Sequence, residues 1–252
     1  MGVSPETSEN LVKSGGERLR QKVNTILYGV TSETKGWPER VFSTGRPLRI
    51  AYVGRFEEHQ KRVSDIPKIL ACLRNLGGLF DMTLVGEGPE YPQLRRQFEA
   101  LGIPANYLGS LPPQSVMRVW EEHDVMLLTS SFEGGPLVLL EAMASGCVPV
   151  VSRCSGGLIP IVVKEGSNAL SFGVGDIEGA AAHLHRLHKD PELLKSLSLA
   201  AFETSGAYTV ENMLRQYAAL FHQVTAEKRG SWSARNYLSL AGRQAKTLFA
   251  QA

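Results

Sequence analysis

Four ionisable residues stand out by type and spacing. Arg55 and Lys61 follow Gly54 in Gly54-Arg55-Phe56-Glu57-Glu58-His59-Gln60-Lys61-Arg62, and Glu133 and Glu141 bracket Gly134-Gly135-Pro136-Leu137-Val138-Leu139-Leu140. Arg offers a planar fork of donors and Lys a point charge, so the first stretch suits a diphosphate. It reads equally well as a short solvated basic loop. In the second stretch, two glycines before Pro136 mark a helix start, with Pro136 expected at N1. The N–H groups of Leu137 and Val138 then face outward at the positive end of the helix dipole, a ready anion site. Glu133 in the loop and Glu141 within the helix would not bind phosphate. They suit the hydroxyls of a ribose or a sugar, or else Glu133 compensates the dipole and Glu141 is a surface residue.

Such groups must be positioned by strands and helices. From Pro47 onward, RPLRIAYVG, FDMTLVG, ANYLG, DVMLLT and VPVV are short apolar runs that read as strands buried on both faces. Amphipathic stretches lie between them, with Ile66, Ile69, Leu70, Leu73 and Leu76 in one, and Leu94, Phe98 and Leu101 in another. Alternating strand and helix predict a doubly wound parallel α/β sheet, and ligands then bind beyond the carboxyl ends of its strands. After Phe172, helices are predicted over residues 176–189, with Asp176 as N-cap, and over 191–202 and 210–226. Residues 1–46 read as a connector, with Val23 to Val30 (VNTILYGV) as one strand, and 227–252 as a further helix.

Other motifs carry less. Gly86-Glu87-Gly88-Pro89 fails as GxGxxG, since Tyr91 stands where the third Gly belongs, and reads as a tight turn. No P-loop and no GxSxG is present. His183, His185 and His188 share a predicted helix, but i and i+2 point apart, so no metal site is expected. Ser155-Gly156-Gly157 lines the same cleft or simply turns the chain.

Composition sets the frame. The chain has 252 residues, 43% hydrophobic and 21% charged, which excludes disorder and coiled coil. Its 27 Lys and Arg against 25 Asp and Glu give no reason to expect nucleic acid as a partner. Cys72, Cys147 and Cys154 suggest neither a disulfide framework nor a zinc site, and a reducing, cytoplasmic setting fits. No run approaches the ~18 apolar residues of a membrane span, and MGVSPETSEN has no signal-peptide core.

Together these residues resemble the nucleotide-sugar-binding domain of retaining glycosyltransferases of family 4, whose fold is termed GT-B. Gly54-Arg55 with Lys61 is similar to the family's GR(x5)K element, and Glu133 to Glu141 to its E(x7)E motif in the context EGGPLVLLEAMASG. VGEGPEYPQL, YLGSL, DVMLLTSS, CVPVVSRCSGG and GSNALSFGVGD follow in the family's order. The resemblance implies that Arg55 and Lys61 hold the diphosphate and stabilise it as it leaves, without a metal ion or cofactor. It implies phosphate binding by the Leu137 and Val138 N–H groups, with Gly54 and Gly135 in the same loops. Glu141 would bind ribose and Glu133 the donor sugar. Glu87, Leu108 and Gly109, within Gly86 to Glu87 and Tyr107 to Ser110, would lie near the base. The family often has Gly where Pro136 stands, and its usual acidic residue after Ser155-Gly156-Gly157 is replaced near Pro160.

The resemblance further implies the C-terminal half of a GT-B fold. Residues 1–46 would be the remnant of an acceptor domain and the connector, 47–226 the Rossmann-like nucleotide-sugar domain, and 227–252 a C-terminal helical extension. The expected function is retaining, metal-independent transfer from a UDP-, GDP- or ADP-linked sugar. The acceptor domain is expected to be absent or supplied by a partner subunit, so that this chain alone is inactive. The alternative is a stand-alone nucleotide-sugar module or a non-catalytic or split subunit. The basic, apolar flavour of 227–252 allows peripheral contact with the inner face of a membrane, although packing on a partner domain is the favoured role.

Overall fold

The computed structural model describes residues 4–31, 36–38, 40–154 and 156–227. Two compact units divide the chain, Met1–Met213 and Leu214–Ala252. The first contains six strands, β1 (Leu48–Val53), β2 (Phe80–Val85), β3 (Asn106–Gly109), β4 (Val125–Leu128), β5 (Val148–Ser152) and β6 (Leu170–Phe172). All pair in parallel in the order β3-β2-β1-β4-β5-β6.

The expected α/β sheet is therefore present, and side-chain alternation splits its core in two. Ile50 and Tyr52 of β1, and Val125 and Leu127 of β4, face one helical layer. Ala51 and Val53, with Met126 and Leu128, face the other. The first layer contains α3 (Asp65–Asn75), α4 (Tyr91–Ala100) and α8 (Ile177–Lys189); the second contains α5 (Pro113–Glu122), α6 (Leu137–Ala144) and the short α7 (Ile159–Val162). Burial on both sides is why β1, β4 and β5 read as continuous apolar runs. β3 is at the edge and departs from that expectation: its residues alternate between exposed and half-buried.

Several local expectations need correction. VNTILYGV is not a strand. It has no ladder of its own, and its last residue makes an isolated parallel bridge, Val30 to Thr209, closed by Val30 N–H to Tyr208 C=O at 2.9 Å and Val210 N–H to Val30 C=O at 3.3 Å. The segment before it is more than a connector, since it forms α1 (Pro5–Gly15) and a 3-10 turn over Glu17–Lys22. Ser4 caps α1 by accepting from Thr7 N–H at 3.2 Å. Leu76 lies past the end of α3 and is exposed.

α8 and α9 (Pro191–Ser205) begin as the sequence indicates: Asp176 accepts from Gly179 N–H and Asp190 from Leu193 N–H, both at 2.9 Å. α10 spans Val210–Glu227. The helix expected over 227–252 falls almost entirely outside the described residues, as does Ser155. No described helix is long and apolar enough to cross a membrane.

At the amino ends of the strands, Asp124 is fully out of water and receives Arg46 and Arg49. Arg46 Nη1 lies at 2.8 Å, and Arg49 contributes both its guanidinium and its backbone N–H. Burial alone would raise the Asp124 carboxyl, but these bonds outweigh it and hold the group at about 2.

Candidate functional site at the carboxyl ends of β1 and β4

Strand order reverses between β1 and β4, so the loops leaving these neighbours diverge and open a crevice. The loop after β1 supplies Gly54, Arg55 and Lys61, and the loop after β4 supplies Glu133 and Gly135.

The β1 loop is fixed from below. Gly54 N–H continues the ladder to Val85 C=O at 3.0 Å, and Gly86 N–H reaches Gly109 C=O at 2.8 Å. The ends of β1, β2 and β3 thus converge. Gly86 has φ +133, and a Cβ there would stand 1.9 Å from the Gly54 carbonyl oxygen, so only glycine fits. Phe56 is fully buried and exchanges backbone bonds with Glu87 and Glu90. Arg55, held between them with its carbonyl accepting from Tyr52 Oη at 2.9 Å, projects into solvent and makes no ion pair among the described residues.

Lys61 ends a single turn, α2 (Glu58–Lys61), capped by Glu57, whose carboxylate accepts from His59 and Gln60 N–H. Those backbone bonds, Gln60 first, hold Glu57 below its ordinary value. The turn aims Lys61 across the crevice. Its Nζ lies 2.6 Å from Glu133 Oε1, with only 14% and 5% of the two side chains exposed.

Three residues that the motif reading did not single out complete this contact. Ser130 Oγ donates to the same Glu133 oxygen at 2.6 Å, Thr129 Oγ1 donates to Lys61 C=O at 2.7 Å, and Gln60 Nε2 donates to Phe132 C=O at 3.2 Å. The available signal was the hydroxyl run Thr129-Ser130-Ser131 where the apolar β4 ends.

Pro136 is the N-cap of α6 rather than its first residue, so Leu137 stands at N1. The first intrahelical bond runs from Leu139 N–H to Pro136 C=O at 3.0 Å, leaving the N–H groups of Leu137 and Val138 ahead of it. Gly135 is covered by the Tyr28 ring from the segment before β1. Glu141 is half-buried on α6; burial raises its carboxyl above the ordinary value, while the approaching Trp120 indole acts in the opposite direction. Glu87 and Leu108 sit with Gly109 at the β2 and β3 side, where Glu87 Oε1 accepts a long bond of 3.4 Å from Ser110 N–H and Leu108 is exposed.

One end of the sheet thus gathers an exposed guanidinium, a buried ammonium–carboxylate pair, the start of a helix and a second, half-buried carboxylate. Cys154 lies beside the pair, its thiol pushed up to about 11 by burial. The histidines of α8 lie elsewhere: His183 Nε2 is 3.2 Å from Ser171 C=O, and His188 is buried against α9 and the segment before β1.

Comparison with known proteins places this arrangement. The chain is 33% identical over 155 residues to the lipopolysaccharide 1,6-galactosyltransferase of Salmonella typhimurium, covering 60% of this chain and 41% of that protein. It is 33% identical over 170 residues to the N-acetyl-alpha-D-glucosaminyl L-malate synthase of Bacillus anthracis, covering 67% and 44%. It thus spans less than half the length of either relative. Among solved structures, the apo lipopolysaccharide outer core galactosyltransferase WaaB matches with a TM-score of 0.68 at 25% identity, over 88% of this chain and 61% of that one. Anabaena Alr3699/HepE in complex with UDP-glucose shares the fold, with a TM-score of 0.73 at 17% identity over 88% and 63%. These structures are of the GT-B type. The profile of the family described as "Glycosyl transferases group 1" matches residues 35–204, which takes in the whole six-stranded sheet and every residue of the crevice except Tyr28, and the chain belongs to that family.

Proposed function

We propose that this chain carries the donor half of a retaining glycosyltransferase that uses a nucleoside diphosphate sugar. The observation that carries the reading is the meeting of Lys61 and Glu133 at the strand-order reversal, beside the start of α6. Arg55 and Lys61 bind the diphosphate together with the Leu137 and Val138 N–H groups. As the bond to the sugar breaks, negative charge grows on the departing oxygen, and cations already in place stabilise it without reorganising solvent. That role needs no metal ion or cofactor, so chelators leave donor binding unchanged. Glu133 turns to the donor sugar once a phosphate takes over Lys61, and Glu141 accepts from the ribose hydroxyls. The acceptor is held by a second domain, on the same polypeptide or on a partner chain, and the enzyme works in the cytoplasm. The names of the relatives and the UDP-glucose in the HepE structure support this reading.

Titration of UDP, GDP, ADP and their sugars against the full chain tests it, with Arg55→Ala and an Arg55→Ala, Lys61→Ala double variant alongside. Binding of at least one nucleotide, weakened in both variants and indifferent to EDTA, is the expected result. No binding, or equal binding by the folded Arg55→Ala variant, overturns the reading.

The second reading has the chain as one subunit of a split enzyme. Transfer restored by adding a separate acceptor-binding chain would identify it.

A further inference from the structure

A cavity of about 390 Å3 opens where the chain leaves β5, bounded by α7 and the edge strand β6. Ile159, Pro160 and Val163 give it apolar walls, Cys154 adds a buried thiol, and Arg153, Glu165 and Ser171 are its remaining polar residues. Its volume falls within the range of about 300–1,000 Å3 in which proteins hold small molecules.

The polar lining is unevenly committed. Glu165 Oε2 accepts from both the N–H and the Oγ of Ser171, at 2.5 and 2.6 Å, and Arg153 Nη1 donates to the Ser171 carbonyl at 2.8 Å. Both backbone groups of Ser171 on the open side of β6 are thus occupied, so an added β-strand is not what this surface takes. Leu158 to Val163 carry no charge, and the acid on the wall, Glu165, is already bound to Ser171. Arg153 is exposed and makes no ion pair among the described residues, and its Nε and Nη2 hydrogens have no acceptor among them. Apolar walls beside a guanidinium with donors to spare fit a ligand that has an apolar body and an anionic group.

The cavity also borders the candidate site. Ser152, the last residue of β5, donates from Oγ to Ser130 C=O at 2.5 Å, and Ser130 in turn holds the Glu133 carboxylate. Two residues beyond Ser152, Cys154 lies both on the cavity wall and beside the Lys61 and Glu133 pair. Resting on the nucleotide-sugar reading above, we propose that this cavity seats the apolar part of the acceptor, and that Arg153 holds a phosphate or carboxylate that the acceptor carries. The acceptor is then shared between the second domain and this one, and its hydroxyl approaches the Lys61 and Glu133 pair from the β5 side.

Calorimetric titration of the full chain, Arg153→Gln and Pro160→Glu with octyl phosphate, octanoate, octyl glucoside and inorganic pyrophosphate tests the assignment, each amphiphile being kept below its micellar concentration. Both replaced residues are exposed, so the core is left untouched. At least one of the two anionic amphiphiles is expected to bind the wild-type chain about tenfold tighter than octyl glucoside, and to bind equally well when the chain is saturated with pyrophosphate. Arg153→Gln should bring that anion down to the level of octyl glucoside, and Pro160→Glu, by placing a carboxylate on the wall, should weaken it about tenfold. Pyrophosphate should bind all three proteins alike, which also reports an intact fold. No binding of either anion, equal binding of octyl glucoside, a preference for anions that survives in Arg153→Gln, or displacement by pyrophosphate overturns the assignment and leaves the diphosphate site standing. A wild-type chain that binds octyl phosphate but neither pyrophosphate nor nucleotide overturns the nucleotide-sugar reading, and the acceptor role with it.

Discussion

Lys61 Nζ and Glu133 Oε1 lie 2.6 Å apart across the crevice between β1 and β4, and both side chains are largely out of water. Each neutralises the other in a site whose proposed ligand is an anion. A diphosphate must therefore displace Glu133 from Lys61 or share the ammonium with it, and Ser130 is placed to keep one Glu133 oxygen satisfied when that happens.

Breaking the pair from one side should be costly. Lys61→Ala leaves Glu133 buried without a counter-ion, and a loss of about 3–5 kcal/mol in urea denaturation is expected. Lys61→Met with Glu133→Leu should recover most of it. If the single variant is as stable as wild type, the pair is more solvated than its burial implies.

Freeing the ammonium should favour anions. Glu133→Gln keeps an oxygen for Ser130 but removes the competing charge, so pyrophosphate binding is expected to tighten by about fivefold at low salt, with the gain shrinking as salt rises. Unchanged or weaker binding would mean that Lys61 does not meet the phosphate.

The Gly86 loop should tolerate nothing larger. Gly86→Ala drives a Cβ into the Gly54 carbonyl at positive φ, so a loss of at least about 1–3 kcal/mol is expected, with weaker pyrophosphate binding as the β1 loop shifts. Gly134→Ala meets no atom within 4 Å and serves as the neutral control in the same thermal melts.

Acid sensitivity should trace to the opposite end of the sheet. Asp124 has a folded value of about 2 against an ordinary 3.8. Its stabilisation is thus complete above the ordinary value and is lost as pH falls through the folded one. Asp124→Asn should remove roughly 2 kcal/mol at pH 7 and flatten the stability profile between about pH 4 and 2.

Glu141 carries the contrary sign. Burial disfavours its charge, so the protonated carboxyl is the form that the fold favours, and that favour is lost as pH rises through the raised folded value. Glu141→Gln should lift Tm at pH 7 by about a few degrees at most, with the gain vanishing below the ordinary 4.5, and should weaken nucleotide binding while sparing pyrophosphate.

Much of the sheet could be read in advance because β1, β4 and β5 are buried on both faces, which writes hydrophobicity into consecutive residues. Edge strand β3 and the segment Val23 to Val30 show where that signal misleads. The first is half exposed, and the second is apolar because it packs beside β4 and α6, without strands to pair with. α1 was missed because it buries only Val12 among its eleven residues, too few to print a helical period. In the site, GR(x5)K and E(x7)E located the residues but not the contact between Lys61 and Glu133, which are 72 positions apart and meet only because β4 pairs beside β1. Gln60, Thr129 and Ser130 lay inside quoted segments without a role of their own, since their task is to hold neighbours.

The bridge between Val30 and Thr209 joins the segment that precedes β1 to the residue before α10, and it is parallel. Tension applied upstream of Val30 and downstream of Val210 would slide the two segments past each other, loading both hydrogen bonds at once instead of peeling them in turn. The fold thus has a shear-loaded latch between the segment before β1 and the start of α10.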